Sequence, residues 1–300
     1  MITKRTVFVL GAGASQPFGF PTGIELAREL STRFGQRIYV EQLAEKLHPK
    51  FSMKELINFR DEFYYSGRNS VDAFLEHRDD LVEIGKYATA ALLIAKENSD
   101  RLFSYDHQNW LRFIYGRMQS SFENFAANRI SFVTFNYDRS VEHFLFTALK
   151  NSFGHRREDE IAMIFDSIPV IHLHGSLGPL PWQSDNGRSF NIKVNRAGLE
   201  IAASSIKIIH EDIKDGRDAD FRLAKHLMHE ADHIYFLGFG FNPTNNERLA
   251  IRHLRKEIAT ATGKDLVQNE IVDIQNACDG RVKVFNEDCL SFLRNHAKLG

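Results

Sequence analysis

Val7-Phe8-Val9-Leu10-Gly11-Ala12-Gly13-Ala14-Ser15 is the stretch that decides the fold. An apolar, β-branched and aromatic run halted by glycine is the pattern of a strand buried in a parallel sheet. Three later stretches repeat it. They are Ile130–Phe135 before Asn136-Tyr137-Asp138, Val170–Leu173 before His174-Gly175-Ser176, and Ile234–Leu237 before Gly238-Phe239-Gly240-Phe241. Open α/β sheets form their ligand crevice at the carboxyl ends of the strands. A glycine-rich turn, an Asn/Asp pair, a histidine and a second glycine turn are therefore expected to converge. The fold class expected is α/β, a Rossmann-like parallel sheet.

Between the first two runs the periodicity turns helical. Leu56, Phe59 and Phe63 share one face; so do Val71, Phe74, Leu75, Leu81 and Val82, with Ser70 as N-cap; so do Trp110, Phe113, Ile114 and Met118. Residues 24–128 read as a helical insertion, longer than an ordinary crossover, forming a subdomain over one face of the site. After His174, Gly178, Pro179, Pro181, Trp182 and the polar run 183–189 mark 175–219 as an irregular small module. Helices are expected at Asp220–Ala231 and Asn246–Ala259, and a last strand at Val282–Phe285 before Asn286-Glu287-Asp288.

Hydrophobic residues make up 43% of the 300, with 25 Phe, enough for a large core. A net charge of −1 gives no electrostatic case for nucleic acid or an anionic membrane. Cys278 and Cys289 make neither a metal knuckle nor a disulfide framework. The first apolar stretch is too short for a signal peptide and no run reaches the length of a membrane span, so the expectation is a soluble cytoplasmic chain.

Each cluster has a plain reading beside a chemical one. Gly11-x-Gly13 between a strand and a helix lets backbone amides approach a pyrophosphate, or simply makes a tight turn. The third glycine of the dinucleotide fingerprint is Gln16, which disfavours a hydride-transfer enzyme. Asn136 and Asp138 precede a helix near Ser140–Leu149 and could be caps. His172 and His174 alternate on one strand and so share a face, unless His174 leaves the strand at Gly175. His174, at a strand's carboxyl end, is placed for acid–base work. His229-Glu230-Ala231-Asp232-His233 matches the H-E-x-x-H zinc pattern, but Ile234–Leu237 follows at once, so the helix is expected to end inside the motif.

Taken in order, the four clusters resemble the sirtuin superfamily, and within it the sirtuin-like NAD hydrolases of bacterial antiphage defence. The resemblance runs from residue 7 to about 288 and implies a single NAD-binding domain over 1–300. It implies that Gly11, Ala12, Gly13 and Ser15 cradle the NAD phosphates. Asn136, Tyr137 and Asp138 would surround the nicotinamide ribose and carboxamide, and His174 would serve as the base. Gly238, Phe239 and Gly240 would form a second nucleotide-binding turn, with Asn286 near the adenosine. The chain departs from the protein deacylases of that superfamily in two ways. Their four-cysteine zinc module has no counterpart before Cys278, and Gly19-Phe20-Pro21-Thr22-Gly23-Ile24 lacks their Asp-Phe-Arg segment.

The activity implied is cleavage of the nicotinamide–ribose bond of NAD by water, with NAD as substrate and no metal. Asn136 would orient the water or a ribose hydroxyl, His174 would take the proton, and Asp138 would grip the carboxamide. The competing readings are an NAD or ADP-ribose sensor that does not cleave, and a zinc hydrolase built on the 229–233 segment. A nuclease is disfavoured because the acidic residues lack metal-site spacing. By analogy with the family, a homo-oligomer or a separate activating subunit is expected, with neither membrane nor nucleic acid as partner.

Overall fold

The structure, a computed structural model, describes residues 1–105, 108–208, 219–255 and 257–300. Its centre is a six-stranded, all-parallel sheet with helices on both faces. The strands are β1 (Thr6–Leu10), β2 (Ile130–Thr134), β3 (Val170–His172), β4 (His233–Leu237), β5 (Ala259–Thr262) and β6 (Val282–Phe285). Their order is β3-β2-β1-β4-β5-β6, the doubly wound Rossmann-like arrangement. The chain builds outward from β1 through β2 to β3, then returns to the other side of β1 to lay down β4. The strand order therefore reverses between β1 and β4. Thr6 is in register with Ile130 on one side and His233 on the other.

Alternation along the strands explains the two layers. Phe8, Leu10, Phe132, Tyr235 and Leu237 face one apolar cluster. Val7, Val9, Val133, Ile234 and Phe236 face the other, with Phe221, Met228 and Ile271. All five residues of β1 are buried, as a central parallel strand requires. Each fully buried large apolar side chain of this kind stabilises the fold by about 1.5–3 kcal/mol.

Residues 24–128 are helical among those described, and their apolar side chains pool with the first face of the sheet in one continuous core. Leu56, Phe59 and Phe63 lie buried on Met53–Tyr65, and Trp110, Ile114 and Met118 on Trp110–Met118. Ser70 caps Val71–Leu75, its hydroxyl accepting from Ala73 N. That helix stops at Leu75, however. Leu81 closes a separate 3-10 turn and Val82 opens the next helix, Val82–Ile94, so the expected single face over 71–82 is divided among three elements.

Two other expectations are corrected. Asn246–Ala259 is not one helix. Pro243–Arg248 and a 3-10 turn at Ile251–His253 lead into β5, whose sequence, Ala-Thr-Ala-Thr, carries too little apolar bulk to announce a strand. Within 175–219, turns run to 195, but Arg196–Ser205 is a helix packed on Val82–Ile94, with Leu199, Ala202 and Ala203 buried. Residues 209–218 of that module lie outside the described residues. Among the described residues no helix is long and apolar enough to cross a membrane.

Candidate active site

The first turn, after β1, packs against the turn after β4. A Cβ on Gly11 would lie 2.4 Å from Gly238 O, and one on Gly238 would lie 2.1 Å from Ala14 N. Gly238 also has φ +55°, where a side chain is strained. Gly11 N donates to Leu237 O (3.0 Å) and Gly13 N to Gly238 O (3.1 Å), while Ala14 N and Ser15 N bond back to Gly11 O and Ala12 O. These glycines thus serve first to seat one turn on the other, and their amides are engaged in doing so. The segment after Gly13 also differs from the expected helix. Two 3-10 turns, Ala12–Ala14 and Gln16–Phe18, intervene before Gly23–Arg33 begins. The helical block anchors this loop through Trp110, whose indole N–H donates to Ala14 O at 2.7 Å.

Beneath the turn lies a buried polar network. Asn136 Nδ2 donates to Gly11 O and to Ser15 Oγ, both at 2.9 Å, which fixes the amide's orientation. Ser15 Oγ donates in turn to Asp138 Oδ2 at 2.6 Å, and Asp138 Oδ1 accepts from Ser140 N at 3.1 Å. Asp138 is therefore both the local cap of the Ser140–Ser152 helix and a partner of the first loop. Asn136 Oδ1 makes no hydrogen bond among the described residues, so the amide keeps one acceptor in reserve. Burial pushes the Asp138 carboxyl above its usual range, opposed by Ser140, Ser15 and the nearby His172.

The two histidines separate. His172 ends β3, and its ring lies on the face of the helical block, with Nδ1 2.9 Å from Asn136 O and Nε2 2.7 Å from Glu142 Oε1. A turn closed by Gly175 N donating to His172 O (3.3 Å) ends the strand before His174 can follow the alternation, and Gly175, at φ +70°, lies where a side chain would collide with the Ser205 carbonyl. His174 turns to the opposite layer, with its ring centroid 5.4 Å from Phe135 and 6.1 Å from Phe221. Burial, with Arg248 and Lys207 adding repulsion, pushes its pKa down to about 4. For His172, burial works the other way from its neighbours, but Glu142, the Asn136 carbonyl and Asp138 outweigh it and raise the pKa.

The other expected site residues divide. Tyr137, 8% exposed, sends its hydroxyl to Asp72 Oδ1 (2.5 Å) in the helical block. Phe239 packs on Phe135, with centroids 5.1 Å apart. Gly240 has open space where a Cβ would be and makes no close approach. Asn286 is exposed and clasps the preceding loop, accepting from Asp265 N and donating to Leu266 O, while Asp288 caps the final helix. In the zinc-like segment the helix Ala219–Glu230 ends at Glu230 and His233 begins β4, so His229 and His233 stand on different elements.

Three charged residues that escaped sequence reading hold the region together. Glu97, Arg139 and Arg188 have side chains no more than 1% exposed. Glu97 Oε1 accepts from Arg139 Nη2 and Arg188 Nη2, both at 2.7 Å, and Oε2 from Arg188 Nη1 at 2.7 Å. Arg139 Nη1 also donates to Arg188 O at 2.6 Å. The 176–195 turns are thereby tied to the residue beside Asp138. Glu142 could have been flagged, since it is a carboxylate among Val141, Phe144 and Leu145 on the buried face of its helix. Glu97 and Arg188 carry no such signal, because their neighbours in sequence do not reveal burial. The sequence matches no protein-family model and no curated protein.

Proposed function

We propose that the chain is an NAD hydrolase, breaking the nicotinamide–ribose bond to give nicotinamide and ADP-ribose. The observation that carries this reading is the Ser15–Asn136–Asp138 network at the ends of β1 and β2. It lies beside the strand-order reversal, with His174 at the end of β3. The ordered resemblance of Gly11-Ala12-Gly13-x-Ser15, Asn136-x-Asp138 and His174-Gly175 to the sirtuin-like NAD hydrolases supports it.

Nicotinamide leaves from a cationic ring nitrogen, so the bond needs positioning and charge stabilisation more than strong acid. Asn136 Oδ1, unused by the described residues, would orient the water or a ribose hydroxyl, and Asp138 would engage the carboxamide. At neutral pH His174 is unprotonated, the form that accepts a proton. The loss of amide donors to internal bonds, at Gly11, Gly13 and Ser15 alike, leaves the Ala12 amide as the donor of this turn that would meet a phosphate, with the Ser15 hydroxyl committed to Asp138. NAD depletion of this kind serves antiphage defence. It would be restrained by self-assembly or a partner subunit, for which the exposed Ile38, Tyr64 and Tyr65 of the helical block are a candidate surface.

Chromatography of the purified protein with NAD, beside His174→Ala, tests the proposal. Nicotinamide and ADP-ribose should appear, and the variant should lose on the order of 10²- to 10⁴-fold in rate. The burial of His174 among aromatic rings favours one rival, a sensor that binds NAD or ADP-ribose without cleaving it. Tight NAD binding with no nicotinamide release would select that rival.

A further inference from the structure

His172 sits between two acceptors. Asn136 O is a carbonyl, so Nδ1 must donate to it, and Nε2 faces a carboxylate oxygen at 2.7 Å. A neutral ring protonated on Nδ1 would turn a lone pair toward Glu142, whereas an imidazolium satisfies both contacts. Among the described residues the charged groups acting on it most directly are anionic, with Arg139 farther off beside Glu142. Glu142 comes from Ser140–Ser152 and Asp138 from the preceding turn. Across a cavity of about 780 Å³ lie Asp159 and Asp166, from Glu158–Ile164 and the turn after it, and Asp220 from Ala219–Glu230. Asp159 is paired with Arg157 and Asp220 with Lys207, and neither cation lines the cavity among the described residues. Glu142 has a side chain 5% exposed, and its second oxygen, Oε2, is buried without a partner; Arg139 acts on it through space, and His172 is the group hydrogen-bonded to it that can supply a countercharge.

We propose that His172 is a positioning residue of the candidate site. Clamped between Glu142 and the Asn136 carbonyl, it is a cationic strut that fixes Asn136 and steadies the Asp138 carboxylate. This assignment rests on the NAD-hydrolase reading for its effect on turnover, but not for its charge state. His174 receives the proton of the reaction, and His172 holds the amide that aims the attacking oxygen.

Because His172 lines the cavity, truncating it opens the vacated position to small molecules. In His172→Ala, nicotinamide release at saturating NAD should fall about 100-fold, the scale expected when a reacting group is misplaced by about 1 Å. NAD affinity should change little. Imidazole, whose cation carries two N–H donors, should restore turnover, and more at pH 6 than at pH 8. 1-Methylimidazole, with one N–H, should not, and His172→Gln should remain impaired because it supplies no charge. Wild-type turnover in His172→Ala, no restoration by imidazole, or equal restoration by 1-methylimidazole overturns the proposal. A second measurement is independent of turnover and of whether His172→Ala folds. In the ¹⁵N-histidine spectrum of the unaltered protein at pH 7, His172 should show two ring N–H groups, and a single one overturns the strut. If that protein shows two but releases no nicotinamide, the hydrolase reading fails while the charge assignment stands.

Discussion

His172 and His174 are two residues apart and inhabit opposite kinds of interior. On the helical-block side of the sheet, His172 is bracketed by a carboxylate and a carbonyl, and Glu97, Arg139 and Arg188 form a desolvated charge cluster nearby. On the other side, His174 packs among Phe135 and Phe221, where burial and the repulsion of Arg248 and Lys207 act on its proton. One layer specifies geometry through ionic hydrogen bonds. The other keeps an imidazole neutral by burying it beside two cations. Spacing in sequence predicts a shared face, and the turn that Gly175 N closes on His172 O is what parts them.

The sharpest way to break the contrast is to remove the anion from the polar side. Glu97→Ala leaves two buried guanidiniums facing each other, and a loss of about 3–5 kcal/mol is expected in urea unfolding. A loss below 1 kcal/mol would mean the cluster is solvated and the two layers are not so different.

Acid probes the other side. His174 is neutral in the folded chain down to about pH 4, but takes a proton near pH 6.5 when unfolded. Its contribution is therefore intact above pH 6.5 and is lost as pH falls toward 4, by about 3 kcal/mol at most on the usual 1.36 kcal/mol per unit. His143, also held down to about 4 by burial, adds to the same slope. His172 has the reverse sign, stabilising the fold as pH drops through its raised pKa. Measured stability against pH should flatten between 6.5 and 4 in His174→Gln; an unchanged slope would assign the acid sensitivity elsewhere.

Smaller effects fall where the two sides meet, at the glycine turns. Gly238→Ala combines a positive φ with a collision against Ala14 N and should destabilise by about 1–3 kcal/mol. Gly240→Ala, with open space around it, should stay within about 0.5 kcal/mol. Equal effects from the two would show that the turns are less closely seated than their geometry indicates.

Much of the frame was legible because it depends on local chemistry. The runs at 7, 130, 170 and 234 are strands because each is apolar, β-branched or aromatic and stopped by a turn former. That they belong to one parallel sheet follows from that shared pattern, whereas their order in it does not. Ser70, and the helix end inside 229–233, were equally readable. β5 was not, since alternating Ala and Thr look alike in a strand, a loop or a helix end. The partner choices of the site were hidden for a different reason. That Glu97 meets Arg188, or that Gly238 lies on Gly13, is a property of chain closure across the whole domain.

The position of β1 has a consequence for the protein's birth. Of the six strands of the sheet it is made first, yet the strands that cover its two edges are made far later, around Ile130 and His233. Until β4 arrives, one edge of a strand that is wholly buried in the fold has no native neighbour, and closing that pair carries the entropy of a very long loop. Synthesis proceeds at about 5–20 residues per second, so this exposure lasts on the order of tens of seconds. During that interval the helical block, made immediately after β1 and packing on Phe8 and Leu10, is the part of the nascent chain able to shield it.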